Sequence, residues 1–297
     1  MVNTITEMYL VTTNGNKYML KKIKRVFDLL RLELHQFKMK HVENLKTGIS
    51  PFERQRINNL PKLKAGIATI FEKPFHYSDK DGFLHSLDEI FEQETYKFFS
   101  NKENPLIIDC GANIGLSTYY FIRQFPNSKI IAFEPDKEIF KLLENNVKSF
   151  PNHQNIEIHN TAVWTEDTQL KFYSEGSLAG SLSLDVAKKN NYDTVEAVDL
   201  KKYLQNEVDF LKIDIEGAEN TLIFDIKNNL KNVKLLFLEY HGIVNQPQNL
   251  GDILNLLHNA GFEYYIRLAA DTLNFPFCNE KNTTFNQQLN IFCYRNI

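Results

Sequence analysis

No apolar run among the 297 residues approaches the roughly 20 that a transmembrane helix needs, so none is expected. The opening MVNTITEMYL has neither a charged n-region nor a long h-region, and no signal peptide is expected there. Cysteine is scarce. The three present, Cys110, Cys278 and Cys293, are odd in number, which argues against a disulfide framework. They fall in or near predicted apolar strands and read as reduced core residues of a cytoplasmic protein. Charge of one sign is also lacking: a net −3 argues against a nucleic-acid binder driven by overall charge. There is no internal repeat, no low-complexity tract and no G-x-G-x-x-G dinucleotide fingerprint.

What is present suits one large α/β domain with an extension. Hydrophobic residues make up 43% and aromatics 12%, with 23 Phe and 13 Tyr, ample for a packed core and for lining a ligand cavity. The charge is unevenly placed. Residues 1–64 carry +8 and the remainder −11. The spacing predicts a basic helix over 17–42, with Ile23, Phe27, Leu30, Leu34 and Phe37 on one face and Lys21, Lys22, Lys24, Arg25, Arg31, Lys38 and Lys40 around them. Such a helix packs on the body, joins two subunits as a homo-oligomer, or docks peripherally on the anionic inner face of a membrane. Gly48–Pro51 and Pro61 break the chain after it. A strand over 67–71, a turn at 78–82 and a helix from Ser86 to Phe99 then lead into the main sheet.

From Leu106 apolar strands alternate with helical segments, the pattern of a doubly wound sheet. Predicted strands are 106–109, 129–133, 155–159, 210–214, 234–239, 262–266 and 290–294, with helices over 114–125, 136–150, 218–230 and 250–260. Segments 169–173 and 194–198 read as extra strands. The first βαβ unit carries the most information. Leu106-Ile107-Ile108-Asp109 enters the turn Cys110-Gly111-Ala112-Asn113-Ile114-Gly115, and the next strand ends at Glu134. Glycines let a backbone approach a ligand, and a following helix N-terminus favours an anionic group. A carboxylate at the Glu134 position can accept both hydroxyls of a ribose. Gly111 fits the first glycine of a dinucleotide motif, but Asn113 and Leu116 occupy the other two positions. The turn therefore disfavours a pyrophosphate. It suits the amino-acid end of S-adenosylmethionine, whose carboxylate would meet the helix N-terminus and whose ammonium would meet Asp109.

The segments IIDCGANIGLSTYYF, IIAFEPD, NTAVW, FLKIDIEGAE and FLEYHG occur in that order and at fitting intervals. On these the chain resembles the FkbM family of S-adenosylmethionine-dependent methyltransferases over about residues 75–294, including the lead-in EIFEQETYKFF. The resemblance implies a class I methyltransferase (Rossmann-like) fold, with a seven-stranded sheet whose last strand runs antiparallel. It also implies methyl transfer, usually to a hydroxyl of a sugar, glycan, glycolipid precursor or secondary metabolite. Residues 1–65 then form a basic helical extension, 66–104 a lead-in of strand and helix, and 105–297 the methyltransferase domain.

Ligands of an open parallel sheet bind beyond the carboxyl ends of its strands. There Gly111, Asn113 and Gly115 are expected around the methionine portion, with Asp109 at its ammonium. Glu134 is expected at the ribose, Pro135 and Asp136 beside the nucleoside, and Thr161, Ala162 and Val163 at the adenine. Asp214 and Glu216 lie on one mid-sheet rim and need a partner charge or proton. Glu219 reads as a helix-terminus residue. His241 has the right ordinary pKa for a general base. Tyr96, Ser177, Ser181 and Glu239 are the acceptor-side candidates, with the 174–183 loop and segment 271–279. The carboxylates and His241 match no dedicated metal motif, and no metal is expected. Two rivals stay open: a cofactor-binding subunit that does not catalyse, and transfer to protein or nucleic acid.

Overall fold

The protein is described by a computed structural model over residues 23–34, 44, 46–174, 180–181, 192–270, 273, 275–278 and 284–295. Seven strands make the main sheet: β3 (Leu106–Cys110), β4 (Lys129–Phe133), β5 (Ile156–His159), β10 (Val208–Ile213), β11 (Val233–Ile243), β12 (Glu263–Ala270) and β13 (Phe285–Tyr294), lying in the order β12-β13-β11-β10-β3-β4-β5. Neighbours from β11 through β5 run parallel, and β13 is antiparallel to both β11 and β12. The expected topology, reversed last strand included, is therefore present. Central strands read as unbroken apolar runs because helices cover both faces. All six residues of β10 are buried, including Asp209 and Lys212. Asp209 is neutralised at the bottom of the sheet, where it accepts from Leu106 N–H at 2.9 Å and faces Lys102 and Lys234 at 2.9 and 3.1 Å.

The lead-in folds onto this sheet. Strands β1 (Gly66–Ile70) and β2 (Lys73–Tyr77) form an antiparallel hairpin, so Pro74 lies inside a strand instead of ending one. The predicted turn at 78–82 is in fact the start of a helix, α3 (Lys80–Leu87), after α1 (residues 23–34) and α2 (Pro51–Asn58). Asp79, not Ser86, is its cap, accepting from Gly82 N–H at 2.8 Å. The helix passes into a π-turn at Asp88–Glu92 and stops short of Phe99.

Two helices follow the first two sheet strands, α4 (Leu116–Gln124) and α5 (Lys137–Val147). Ile139, Leu143 and Val147 recur at four and give α5 its buried face. Phe75 and Phe83 stack at 5.8 Å, and Tyr119 and Phe150 at 4.4 Å. These rings belong to one core shared by the hairpin, α3, α4 and the sheet. Asn146, fully buried on α5, ties the layers together. It bonds His76 N–H and C=O at 2.7 and 2.9 Å and the carbonyl of Ile114 at 2.8 Å.

A second sheet fills the stretch between β5 and β10. Strands β6 (Ala162–Trp164), β7 (Thr168–Ser174), β8 (Gly180–Ser181) and β9 (Asp193–Asp199) pair in the order β6-β9-β7-β8. Of the two other helices that matter, α6 (Glu219–Asp225) packs beside β11 and α7 (Leu250–Asn259) against α6 and β12; the predicted 218–230 helix gives way after Asp225 to 3₁₀ turns. Of the predicted basic helix, residues 23–34 are helical and the rest lies outside the described residues. All twelve are exposed, Phe27 and Leu30 included. No described helix is long and apolar enough to cross a membrane. Cys110 and Cys293 are buried thiols, but Cys278 is exposed on a 3₁₀ turn, which corrects its reading as core.

Candidate active site

The loop after β3 is built from left-handed residues: Gly111, Asn113 and Gly115 have φ of +82°, +50° and +94°. Each answers a different neighbour. A Cβ on Gly111 would collide with the carbonyl oxygen of Asp214, so only glycine lets the two rim loops touch. A Cβ on Gly115 would fall 2.7 Å from a methyl of Leu143, so this glycine lets α5 pack against the loop. Asn113 accepts from Ile114 N–H through Oδ1 at 2.7 Å and caps the chain just before α4.

Glu134 closes the loop from the next strand. Its Oε2 accepts from Asn113 N–H at 2.9 Å and its Oε1 from Asp136 N–H at 2.8 Å. Burial pushes its carboxyl up to about 8, against the pull of those two amides and of Lys212. Asp136 is chiefly a helix cap, accepting from Glu138 and Ile139 N–H at 2.8 and 3.1 Å. Asn160 donates to the carbonyls of Glu134 and Pro135 and joins the β4 and β5 ends. Thr161 follows, with a buried hydroxyl that has no hydrogen-bond partner. Ala162 and Val163 are buried in β6.

Asp109 does not reach the rim. It is fully buried, accepts from the Ser117 and Thr118 hydroxyls at 2.6 and 2.9 Å, and lies 3.5 Å from Lys212 Nζ. The expected contact with an ammonium is thus replaced by a clamp on the first turn of α4. Lys212 is the partner that sequence reasoning missed. Its Nζ donates to the Gly111 carbonyl at 2.8 Å and sits 3.2 Å from Asp214 Oδ2. Burial alone would lower its pKa, but Asp214, Asp109 and Glu239 more than reverse this and hold it charged. A lysine inside the apolar run Phe210-Leu211-Lys212-Ile213 was the available signal.

The β10 loop turns through Glu216 and Gly217, at φ +53° and +99°. A glutamate held left-handed marks a strained turn at a candidate site. Glu219 is fully buried; its Oε2 accepts from Gly217 N–H and its Oε1 from His241 N–H, and Oε1 also faces His241 Nδ1 at 3.0 Å. It fixes the turn and the imidazole, beyond the helix-terminus role expected. β11 outruns β10 and carries Glu239 and His241 past its end, with β13 paired alongside.

A cavity of about 250 Å³ opens here. Gly111 to Ile114, Leu116 and Ser117 form one wall, Lys212, Asp214, Glu216 and Glu239 another, and Tyr96, Glu89, Ser86 and His85 a third, with Gln288 and Ala269–Ala270 across from them. Tyr96 and Glu239 both line this cavity, whereas Ser177 lies outside the described residues. Ser181 pairs with Tyr173 in the second sheet. Glu89 was missed because only the fold brings its helix to β13, where Asn290 donates to it at 3.2 Å.

His241 was expected as the base that faces the acceptor. The structure instead walls it in: it is fully buried and does not line the cavity. Burial would lower its pKa, but Glu219, Glu239 and Glu216 outweigh this and raise it well above the ordinary value. A ring that keeps its proton is no base for a hydroxyl. Burial first, then Asp214, pushes Glu239 up to about 7. Glu216 is pushed up to about 8 by burial and by Asp214 and Glu239, with His241 pulling it back.

The reversed strand wedged between β11 and β12 separates this sheet from the doubly wound sheets of nicotinamide enzymes. It places the fold among the class I S-adenosylmethionine-dependent methyltransferases. The family follows from a sequence model: the Methyltransferase FkbM domain matches residues 109–264, just over half of the chain, and the chain belongs to that family. "Methyltransferase 1" of Beauveria bassiana (strain ARSEF 2860) is 29% identical over 161 residues, 46% of this chain and 64% of that protein. The chain thus spans less than two thirds of that relative. "Methyltransferase sdnD" of Sordaria araneosa is 28% identical over 221 residues, 59% of this chain and 80% of its own. A solved methyltransferase FkbM from Methylobacillus flagellatus KT shares 15% identity at a TM-score of 0.46, over 66% of this chain and 45% of that one, too loosely to bear on the site. The residues present fit the cofactor this family implies, S-adenosylmethionine: the loop backbone faces the cavity, Glu134 is fixed by two amides, and the Thr161 hydroxyl lacks a partner.

Proposed function

We propose that this chain transfers a methyl group from S-adenosylmethionine to a hydroxyl oxygen of a small molecule, within the class of sugars, glycans, glycolipid precursors and secondary metabolites. One observation carries the reading: the cofactor loop Gly111–Ile114 and four carboxylates, Glu89, Asp214, Glu216 and Glu239, share one cavity. When bound, S-adenosylmethionine supplies an electrophilic methyl carbon whose bond to sulfur breaks with its electron pair on sulfur. The chain's own part is placement and proton handling. Glu134 and the β4–β5 junction hold the nucleoside. Lys212 fixes Asp214 and the Gly111 carbonyl, which sets the spacing of the two rim loops. A hydroxyl in the cavity has the wall carboxylates within reach to take its proton, and alignment of oxygen with the methyl carbon contributes more, about 7–11 kcal/mol.

An acidic wall repels a phosphodiester chain and accepts hydrogen bonds from a polyol, which supports a small hydroxyl compound over nucleic acid. The test has two arms. Calorimetric titration should show binding of S-adenosylmethionine and none of NAD. Mass spectrometry of surface glycans and metabolites from the producing cell, with and without the protein, should then show one compound heavier by one methyl group. Binding of NAD in place of S-adenosylmethionine would overturn the reading. So would cofactor binding without any methylated product.

A further inference from the structure

Beneath the carboxylate wall lies an arrangement that methyl transfer by itself does not require. His241 is fully buried, and its Nδ1 faces Glu219 Oε1 at 3.0 Å. Its Nε2 is buried and has no hydrogen bond. That nitrogen points between two acids of the cavity wall, 3.4 Å from Glu216 Oε2 and 3.5 Å from Glu239 Oε1. One ligand atom each from Asp214, Glu216 and His241 lies within 4.8 Å of the others.

We propose that Asp214, Glu216 and His241, with Glu239 beside them, hold one divalent cation of the Mg²⁺ and Mn²⁺ class at the floor of the cavity. Three features point there. Ligand atoms on adjacent corners of an octahedron with bonds of about 2.1 Å stand about 3 Å apart; the 3.4 Å between His241 Nε2 and Glu216 Oε2 is close to that, and Asp214, within 4.8 Å of both, has to turn its carboxylate inward. A ligating imidazole nearly always gives its other ring N–H to a carboxylate, which fixes the tautomer and aims the free nitrogen. Glu219 does this, and it is held in turn by Gly217 N–H and His241 N–H, both as donors. Crowded carboxylates, finally, are the setting in which a dication supplies the missing positive charge. One imidazole with oxygen ligands suits Mn²⁺ at least as well as Mg²⁺. The expectation of no metal rests on motif spacing, which these residues lack because they come from strand β11 and from the loop after β10.

The ion displaces the proton on Nε2 and leaves its outer face to the cavity. Its use there, gripping the acceptor's hydroxyl oxygen and making that hydroxyl more acidic, rests on the methyl-transfer reading. The site itself does not, and its test needs neither cofactor nor acceptor. The full chain is stripped with chelator and titrated with Mn²⁺ alone, free ion being followed by electron paramagnetic resonance. One saturable site per chain is expected. Glu216→Gln and His241→Gln should each weaken it about tenfold or more, and Glu219→Gln, which touches no ion, should weaken it about tenfold by releasing the ring. Glu216 is part-exposed in a turn, so its variant should fold even where His241→Gln does not, and thermal unfolding in chelator checks each. No saturable uptake at millimolar Mn²⁺ sinks the proposal and leaves methyl transfer standing. Uptake that Glu216→Gln leaves unchanged places the ion elsewhere and also sinks it.

Discussion

Lys212 concentrates the electrostatics of the site in one side chain. It is buried, touches Asp109 and Asp214, and bonds the carbonyl of Gly111. Replacing it with methionine would leave Asp109 charged in the core beside a lost partner. Breaking a buried pair in this way costs about 3–5 kcal/mol. Urea unfolding of Lys212→Met should show a loss of that order. A loss below about 1 kcal/mol would mean that Asp109 is satisfied by its hydroxyls alone.

Glu134 gives a pH signature at the same scale. Burial raises its carboxyl to about 8 from an ordinary 4.5. A carboxyl raised on folding favours the folded state fully below 4.5, and that contribution drains away as the pH climbs through 8. Glu134→Gln cannot titrate, so its stability relative to the parent should rise across this window, by up to about 1.4 kcal/mol per pH unit. Parallel stability curves for the two proteins would remove the burial argument. The same variant should weaken S-adenosylmethionine binding up to about tenfold by calorimetry, since a hydrogen bond contributes about 0.5–1.5 kcal/mol.

Between elements, the lead-in and the cofactor loop share one apolar core, and the polar ties added to it can be cut singly. Asn146 bonds the hairpin at His76 and the loop at Ile114 from one buried amide. Asn146→Ala strands three backbone groups and should cost about 2–3 kcal/mol or more. It should also weaken cofactor binding, because the loop loses its strut. Asp79 caps the helix whose far end carries His85, Ser86 and Glu89 to the cavity. Asp79→Ala should cost about 1 kcal/mol in thermal unfolding and leave cofactor affinity unchanged. Should affinity fall instead, the lead-in helix and the cofactor loop are coupled more tightly than their hydrogen bonds indicate.

On the scale of the whole molecule, the basic segment stands apart from the acidic body. Residues 23–34 are helical and wholly exposed. Surface substitutions that bury nothing stay within about 0.5 kcal/mol. The double variant Phe27→Glu and Leu30→Glu should therefore unfold at the parent's midpoint in dilute solution. A fall that grows with protein concentration would identify a second copy as the helix's partner.

The order of the strands, the glycine turn, the acid after the second strand and the carboxylate rim were legible in the chain. Unbroken apolar runs ending in polar residues can serve few roles other than central parallel strands, and their alternation with helices sets a doubly wound sheet. What the chain alone could not decide is which of those polar residues face one another. Asp109 and His241 read as site residues but are turned inward, one under α4 and the other behind Glu219. Local pattern gives Lys212 and Glu89 no place at the site, yet both stand on the cavity. Strand alternation sets the face that a residue takes, whereas its neighbour across that face comes from elements far away in the chain. Charge, burial and metal affinity all depend on that neighbour, so the fold follows from local pattern and the chemistry from tertiary approach.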